Sequence, residues 1–221
     1  MEVWPCSPGG RWVSVDSQTP SDPQHDFDFL FGDWKIQNRR LTARVCGATE
    51  WVEFGGTSRV RPLWDGAAQL DEYQGDAPAG RIDALTLRLY NPVARQWSMN
   101  WSNRAVGMLD TPLVGEFKDG IGEFYDQERF EGRSIYVRFL WSGITPTSAR
   151  WEQAYSDDGG KTWETNWIMA FTRVGGAWTL DASGAGCELR QEIARALSIP
   201  ALPVRLLRER RSDHAISADD L

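Results

Sequence analysis

The side chains able to do chemistry in this sequence are few and of a narrow kind. Four polar groups stand among aromatic residues at strand-like spacing: Asn38 and Arg40, two apart, and Gln153 and Tyr155, also two apart. A guanidinium, two carboxamides and a phenol supply hydrogen bonds and one fixed positive charge, enough to orient a substrate and stabilise a developing charge. These four are the candidate catalytic residues, and the reactions they suit need no cofactor: a cyclisation, an isomerisation or a hydration in a shaped cavity. Apolar side chains recur at the same spacing around them. Trp97, Met99 and Trp101 form one set, Trp151 precedes Gln153 and Tyr155, and Trp163, Trp167 and Met169 form another. With Gln153 and Tyr155 they are the candidate ligand-binding residues, because rings and thioethers hold an apolar or aromatic molecule by stacking and dispersion.

Other chemistries lack their residues. The two histidines, His25 and His214, both lie outside the strand-rich middle of the chain. The three cysteines, Cys6, Cys46 and Cys187, are odd in number, far apart and without C-x-x-C spacing, so they read as free thiols rather than a disulfide framework or a zinc site. No phosphate-binding loop, dinucleotide fingerprint or nucleophile elbow is present. Metal and cofactor are therefore expected to be none. Glu50, Glu53, Glu72, Glu123 and Glu152 read as solvated strand faces.

Composition narrows the partners further. The chain has 221 residues, 41% hydrophobic and 25% charged, which suits one packed core with an appendage. With 31 acidic against 24 basic residues and a net charge of -7, there is no overall positive field for a phosphate backbone, so nucleic acid is not expected. Apolar runs fall far short of the ~20 residues that span a bilayer. The N-terminus also lacks a basic start followed by an apolar run, so no membrane association and a cytoplasmic location are expected. Twelve tryptophans are the outlier. Arginine far outnumbers lysine, a bias of GC-rich bacterial genomes. The expected partner is a small apolar or aromatic ligand or substrate, with a homodimer left open.

These side chains need a scaffold, and the alternation of the sequence describes one. Residues 1–24 hold Pro5, Pro20 and Pro23 with no sustained period and read as an extended or disordered arm, with Trp4 and Trp12 as pins. Residues 25–183 read as a β-domain: short period-two segments separated by Gly, Asp, Asn and Pro clusters. The expected strands run Trp34 to Thr42, Glu50 to Phe54, Ser58 to Leu63, Gln69 to Tyr73, Ala84 to Tyr90 and Gln96 to Asn103. They continue with Leu113 to Phe117, Gly122 to Phe130, Ser134 to Trp141, Ala149 to Tyr155 and Thr162 to Arg173, with Trp178 in a short extension. Short consecutive links favour an up-and-down meander of about ten strands that closes to remove its edges. Residues 184–221 hold a helical stripe, Leu189, Ile193 and Leu197, ending before Pro200, and then a polar tail.

Two motifs mark the ends of that meander. Gly32-Asp33-Trp34, preceded by Phe27, Phe29, Leu30 and Phe31, opens the first strand, and Phe171-Thr172-Arg173 ends the last. A G-x-W at the first strand with an arginine at the last resembles the lipocalin and calycin superfamily. The segments Phe27 to Leu41, Gly56 to Trp64 and Ile144 to Arg173 are similar to uncharacterised bacterial lipocalin-like proteins. The resemblance implies an all-β closed antiparallel barrel in which Trp34 and Arg173 stack as a structural plug, worth roughly 0.5 to 2 kcal/mol as a cation–π pair. The segment Ser156 to Trp163 resembles the Asp-box of sialidases and related propellers. It occurs once and brings neither an arginine cluster nor a tyrosine nucleophile, so it is expected to be a tight turn joining the last two strands.

Parity then assigns faces. If Arg173 points inward, so do Phe171, Met169, Trp167, Thr165 and Trp163, and Trp34 brings in Ile36, Asn38 and Arg40. Arg88 with Tyr90, and Tyr136 with Arg138, each share a face and resemble the carboxylate clamp of fatty-acid-binding barrels, at different strand positions. Three functions follow. The first is binding of a small apolar or aromatic molecule in an indole-lined cavity, and the second is a cofactor-independent biosynthetic enzyme in the same cavity. The third is a haem-binding barrel resembling nitrobindin, for which His25 could be the axial ligand only if its loop folded onto the mouth.

Overall fold

A computed structural model describes residues 22–175. The expected helix at 189–197, the tail, Trp178 and all but the end of the N-terminal arm lie outside the described residues. Ten strands follow one another: β1 (Gly32–Leu41), β2 (Trp51–Leu63), β3 (Ala68–Ala77), β4 (Gly80–Asn91), β5 (Gln96–Asn103), β6 (Leu113–Lys118), β7 (Ile121–Phe130), β8 (Arg133–Ser142), β9 (Ser148–Ser156) and β10 (Glu164–Val174). Each pairs antiparallel with the next, and β1 pairs with β10, so the sheet closes into an up-and-down barrel.

The sequence places a strand break at Gly55-Gly56, but β2 runs through it. Gly56 pairs with both Ile36 and Gly75. A Cβ at Gly56 would sit 2.7 Å from the Gln74 carbonyl oxygen and 3.2 Å from the Tyr73 ring. This glycine admits a close approach of neighbouring strands rather than a turn. The turn expected between β9 and β10 forms as the motif suggests. Asp158 accepts hydrogen bonds from the Lys161 and Thr162 backbone N–H groups, both at 3.0 Å, and Ser156 Oγ accepts from Gly160 N–H at 2.9 Å.

One end of the barrel is plugged by the chain that enters it. Two 3-10 turns, Pro23–His25 and Asp28–Leu30, lay Phe27, Leu30 and Phe31 into the interior, where all three are buried. Phe27 meets Trp97, Phe117 and Trp141 edge-on with centroids 5.2, 4.8 and 6.0 Å away. The Arg173 guanidinium lies 4.1 Å over the Trp34 indole and donates to the carbonyls of Phe29, Phe31 and Pro146. Trp34 Nε1 donates to the Leu30 carbonyl at 2.7 Å. Closure of this end is thus a packed layer of rings in which the polar atoms of Trp34 and Arg173 serve the entering backbone.

The opposite end is more open, and the pairing register says where. β6 meets β5 only at Trp97 to Met99, and it meets β7 only at Ile121 to Tyr125. Toward the mouth, therefore, β5 beyond Met99 has no β6 partner, and neither does β7 beyond Tyr125. The segment 104–112 spans this gap and leaves Val106, Met108 and Leu109 exposed.

Candidate functional site

β1 carries Asn38 and Arg40 inward, as parity from Trp34 predicts, and β10 carries Trp167 and Met169 beside them; Asn38 pairs with Met169 and Arg40 with Trp167. Asn38 is fully buried and bonded on both ends of its amide. Its Oδ1 accepts from the Tyr73 hydroxyl at 2.9 Å and from Trp167 Nε1 at 3.1 Å, and its Nδ2 donates to the Phe54 carbonyl at 3.2 Å. The side chain is a hub that sets the Trp167 ring, its oxygen taken up by two protein donors. Gln153 is engaged through its Nε2, which donates to Asn166 Oδ1 at 2.8 Å. A polar residue in a ring-lined interior is stable when paired, and these two are paired with protein.

Arg40 differs. Its guanidinium lies 4.5 Å over the Trp167 ring at the rim of the barrel. Burial and the nearby Arg44 both push its pKa down. Arg44 arrives from the β1–β2 loop, lies 4.8 Å over Phe130 and donates to the Tyr155 hydroxyl at 3.4 Å. Burial raises the pKa of Tyr155, with Arg44 opposing. Sequence reading singles out Arg40 and Tyr155 but passes over Arg44, because a loop residue carries no parity.

The cleft at this mouth has a volume of about 540 Å³ and is lined by Arg40, Trp101 and Trp167 inside the barrel, with Ile82, Asn103 and the Arg81–Asp83–Arg104 group at its rim. Trp101 and Trp167 meet edge to face at 6.2 Å, and Tyr73 touches both, at 6.1 and 6.3 Å. Trp151 supports Trp167 from the side at 5.7 Å. Of the aromatic candidates, Trp101 and Trp167 therefore face the cleft, while Trp151 stands behind them.

The other candidates lie elsewhere. Trp97 belongs to the closed end, where its Nε1 donates to the Pro23 carbonyl at 2.8 Å, and Met99 and Met169 are buried between the two ends. Trp163 does not share the inward face, contrary to the parity from Arg173. The register slips between Thr165 and Trp167, with Asn166 as the extra residue. Trp163 thereby packs on the outer wall against Tyr125 at 6.0 Å and beneath the Arg138 guanidinium at 4.8 Å, and Thr165, on the same side of the bulge, pairs with Ala154 rather than with an inward residue. Tyr136 and Arg138 also point outward, alternating with the buried Ile135 and Val137.

Arg88 points inward but is neutralised there. It forms an ion pair with Asp71 at 2.8 Å, with both side chains buried, and stacks 5.3 Å from Phe27. Its Nε and Nη1, the Gln69 amide and Trp141 Nε1 have no protein partner among the described residues. This polar layer sits toward the closed end and does not line the cleft. His25 lies at the closed end as well, its Nδ1 2.9 Å from Asp28 Oδ2, so its turn does not fold onto the mouth and the condition set for an axial haem ligand is not met.

Two carboxylates on β7 escape sequence reading. Asp126 and Glu128 share the face of the buried Phe124, and that alternation is the signal that could have found them. Burial, reinforced by Glu128 and Asp110, raises the Asp126 pKa from 3.8 to about 7, and burial raises that of Glu128. Asp126 Oδ1 is buried without a protein partner among the described residues. Among the described residues no group of three or more His, Cys, Asp or Glu side chains is placed to hold a metal ion, and no helix is long and apolar enough to cross a membrane.

No protein-family model matches the chain, and no curated protein matches it. Among solved structures, the S-type phycobiliprotein lyase CPES from Guillardia theta is similar, with a TM-score of 0.49 and 12% sequence identity over 69% of this chain and 93% of that one. A likeness of that size says nothing of what this chain binds.

Proposed function

We propose that the barrel binds a small molecule with a planar, apolar or aromatic body at its open mouth, against Trp101 and Trp167. The observation that carries this reading is the cleft of about 540 Å³ whose inner wall is two indoles and a guanidinium. Pockets of roughly 300 to 1,000 Å³ with apolar walls and a few fixed polar groups are the usual form of small-molecule sites. Asn38 fixes the Trp167 ring by its hydrogen bond, so the stacking surface is formed before the ligand arrives, which limits the ordering cost of binding. Ring stacking adds roughly 0.5 to 1.5 kcal/mol per pair beyond area burial.

The test is titration with N-phenyl-1-naphthylamine, together with native mass spectrometry of freshly purified protein. Saturable fluorescence that weakens in Trp167→Ala, with the fold retained by circular dichroism, is the expected result. No saturable signal and no retained small molecule would overturn the reading and favour an interior filled by its own rings.

A second reading, a cofactor-independent enzyme in the same mouth, is favoured by Asp126. A carboxyl with a pKa of about 7 and an unpartnered oxygen is suited to give and take a proton near neutral pH. In this reading Arg40 and Tyr155 orient the substrate, while Asn38 and Gln153 act only through the rings and strands they hold. Conversion of a co-purified molecule by wild type, lost in Asp126→Asn with binding retained, would separate enzyme from carrier.

A further inference from the structure

We propose that the molecule taken at the mouth is an aromatic anion, bearing a carboxylate, sulfonate or phosphate group, and that Arg40 holds that group. This deepens the binding reading and rests on it. Three arginines line the cleft, and two are already matched: Arg81 and Arg104 both meet Asp83, at 2.9 and 3.8 Å. Arg40 has no carboxylate within ion-pair distance among the described residues. Its neighbours are the Trp167 face, Arg44, Tyr73 and Tyr155, a second cation and three rings.

The contrast with the adjacent residue is informative. Arg39, one position along the same strand and on the outer wall, meets Glu53 at 3.2 Å. The chain as a whole carries 31 acidic residues against 24 basic, so a carboxylate partner is not scarce. A partly buried cation without a counter-charge costs stability, and an anion entering the cleft would offset that cost.

The geometry suits such an anion. A guanidinium stacked on an indole presents its N–H edge, rather than its face, to the space beside the ring, and that edge donates two parallel hydrogen bonds to a pair of oxyanion oxygens. The Trp167 ring is held by Asn38, and Trp101 stands at right angles to it with an interplanar angle of 83°. A planar body against the rings and an anionic group against Arg40 would both be satisfied at once. Arg44, a neighbour of Arg40 that lies over Phe130 and Tyr155, adds positive potential at the same mouth.

A matched pair of probes tests this with the full chain. 8-Anilinonaphthalene-1-sulfonate and N-phenyl-1-naphthylamine share one ring system and differ in the sulfonate. Arg40→Gln is expected to weaken sulfonate binding about tenfold or more beyond any change in the affinity for the neutral probe, the value of a lost charge-assisted hydrogen bond. Sulfonate binding to wild type should also weaken as sodium chloride is raised, and the neutral probe should not. Arg59→Gln, on the outer wall beside Asp33, controls for bulk charge and is expected to leave both probes unchanged. Equal affinities in wild type and Arg40→Gln for each probe would overturn the assignment of the anion while the binding cleft stands, as would an equal loss in Arg59→Gln. Failure of both probes to bind would overturn the cleft and the anion together.

Discussion

Replacing Asn38 by alanine removes one small side chain and leaves two buried donors without a partner. The Tyr73 hydroxyl at 2.9 Å and Trp167 Nε1 at 3.1 Å both depend on that amide oxygen, whereas the Phe54 carbonyl still faces the backbone of residue 38 across the β1–β2 pair. Asn38, Tyr73 and Trp167 are each buried, so water cannot substitute without opening the barrel. An orphaned buried donor costs about 1 to 3 kcal/mol, and partial relaxation reduces the sum for the two, so Asn38→Ala should cost about 2 to 4 kcal/mol. Tyr73→Phe alone removes a donor together with its own need for a partner, and should cost about 0.5 to 1.5 kcal/mol. In the Asn38→Ala background the same Tyr73→Phe change removes an orphaned hydroxyl, and there it should be neutral or stabilising. Urea denaturation followed by tryptophan fluorescence, with the four proteins of the cycle compared at constant m-value, reads this directly. An Asn38→Ala cost below about 1 kcal/mol, or a Tyr73→Phe cost equal in both backgrounds, would refute the hub.

At the closed end, Trp34→Ala should cost about 3 to 5 kcal/mol as a large-to-small change among packed rings, and Arg173→Lys about 1 to 3, since a lysine cannot reach all three carbonyls; an unchanged melting temperature in Trp34→Ala would refute the plug. Asp126, raised to about 7, stabilises the fold in its protonated state, so that contribution is full below the ordinary value of 3.8 and is lost as pH rises through 7. The denaturation midpoint should therefore fall between about pH 4 and pH 7, and Asp126→Asn should flatten the decline; a variant as steep as wild type would contradict it. Asp26, raised to about 6 at the closed end, and Glu128, also raised by burial, add to the same decline. Asp158 has the opposite sign, held well below the ordinary range by the Thr162 and Ser156 bonds, so its contribution is present above that range and fades in acid. Thermal melts of Asp158→Ala should lie below wild type at pH 7 and converge on it as the pH falls.

The barrel is legible because alternation is a property of each strand alone: Trp34, Ile36, Asn38 and Arg40 face inward whatever their partners, and so do Trp151, Gln153 and Tyr155. What alternation cannot report is where the count slips. Asn166 inserts one residue, and Trp163 moves from the expected inner wall to the outer one. Gly55-Gly56 reads as a break because glycine is usually punctuation, yet the contact of Gly56 with Gln74 and Tyr73 is long-range and invisible locally. The polar candidates divide for a related reason. Asn38 and Gln153 look like ligand groups because their partners, Tyr73, Trp167 and Asn166, come from other strands. Arg40 keeps its candidacy because pairing never reaches it. Arg44 and the cleft rim at Arg81, Asp83 and Arg104 depend on loop positions that period-two reasoning does not place.

The measurement that bears most directly on the mouth as the binding site is a nitrogen-15 indole spectrum of the protein titrated with 8-anilinonaphthalene-1-sulfonate, each signal assigned by single tryptophan substitution. Trp101 and Trp167 line the cleft, whereas Trp34 and Trp97 belong to the closed end and Trp163 to the outer wall. Saturable shifts are expected in the Trp101 and Trp167 signals with the other three unmoved. Shifts confined to Trp163, or to Trp34 and Trp97, with Trp101 and Trp167 unchanged, would contradict binding at the mouth.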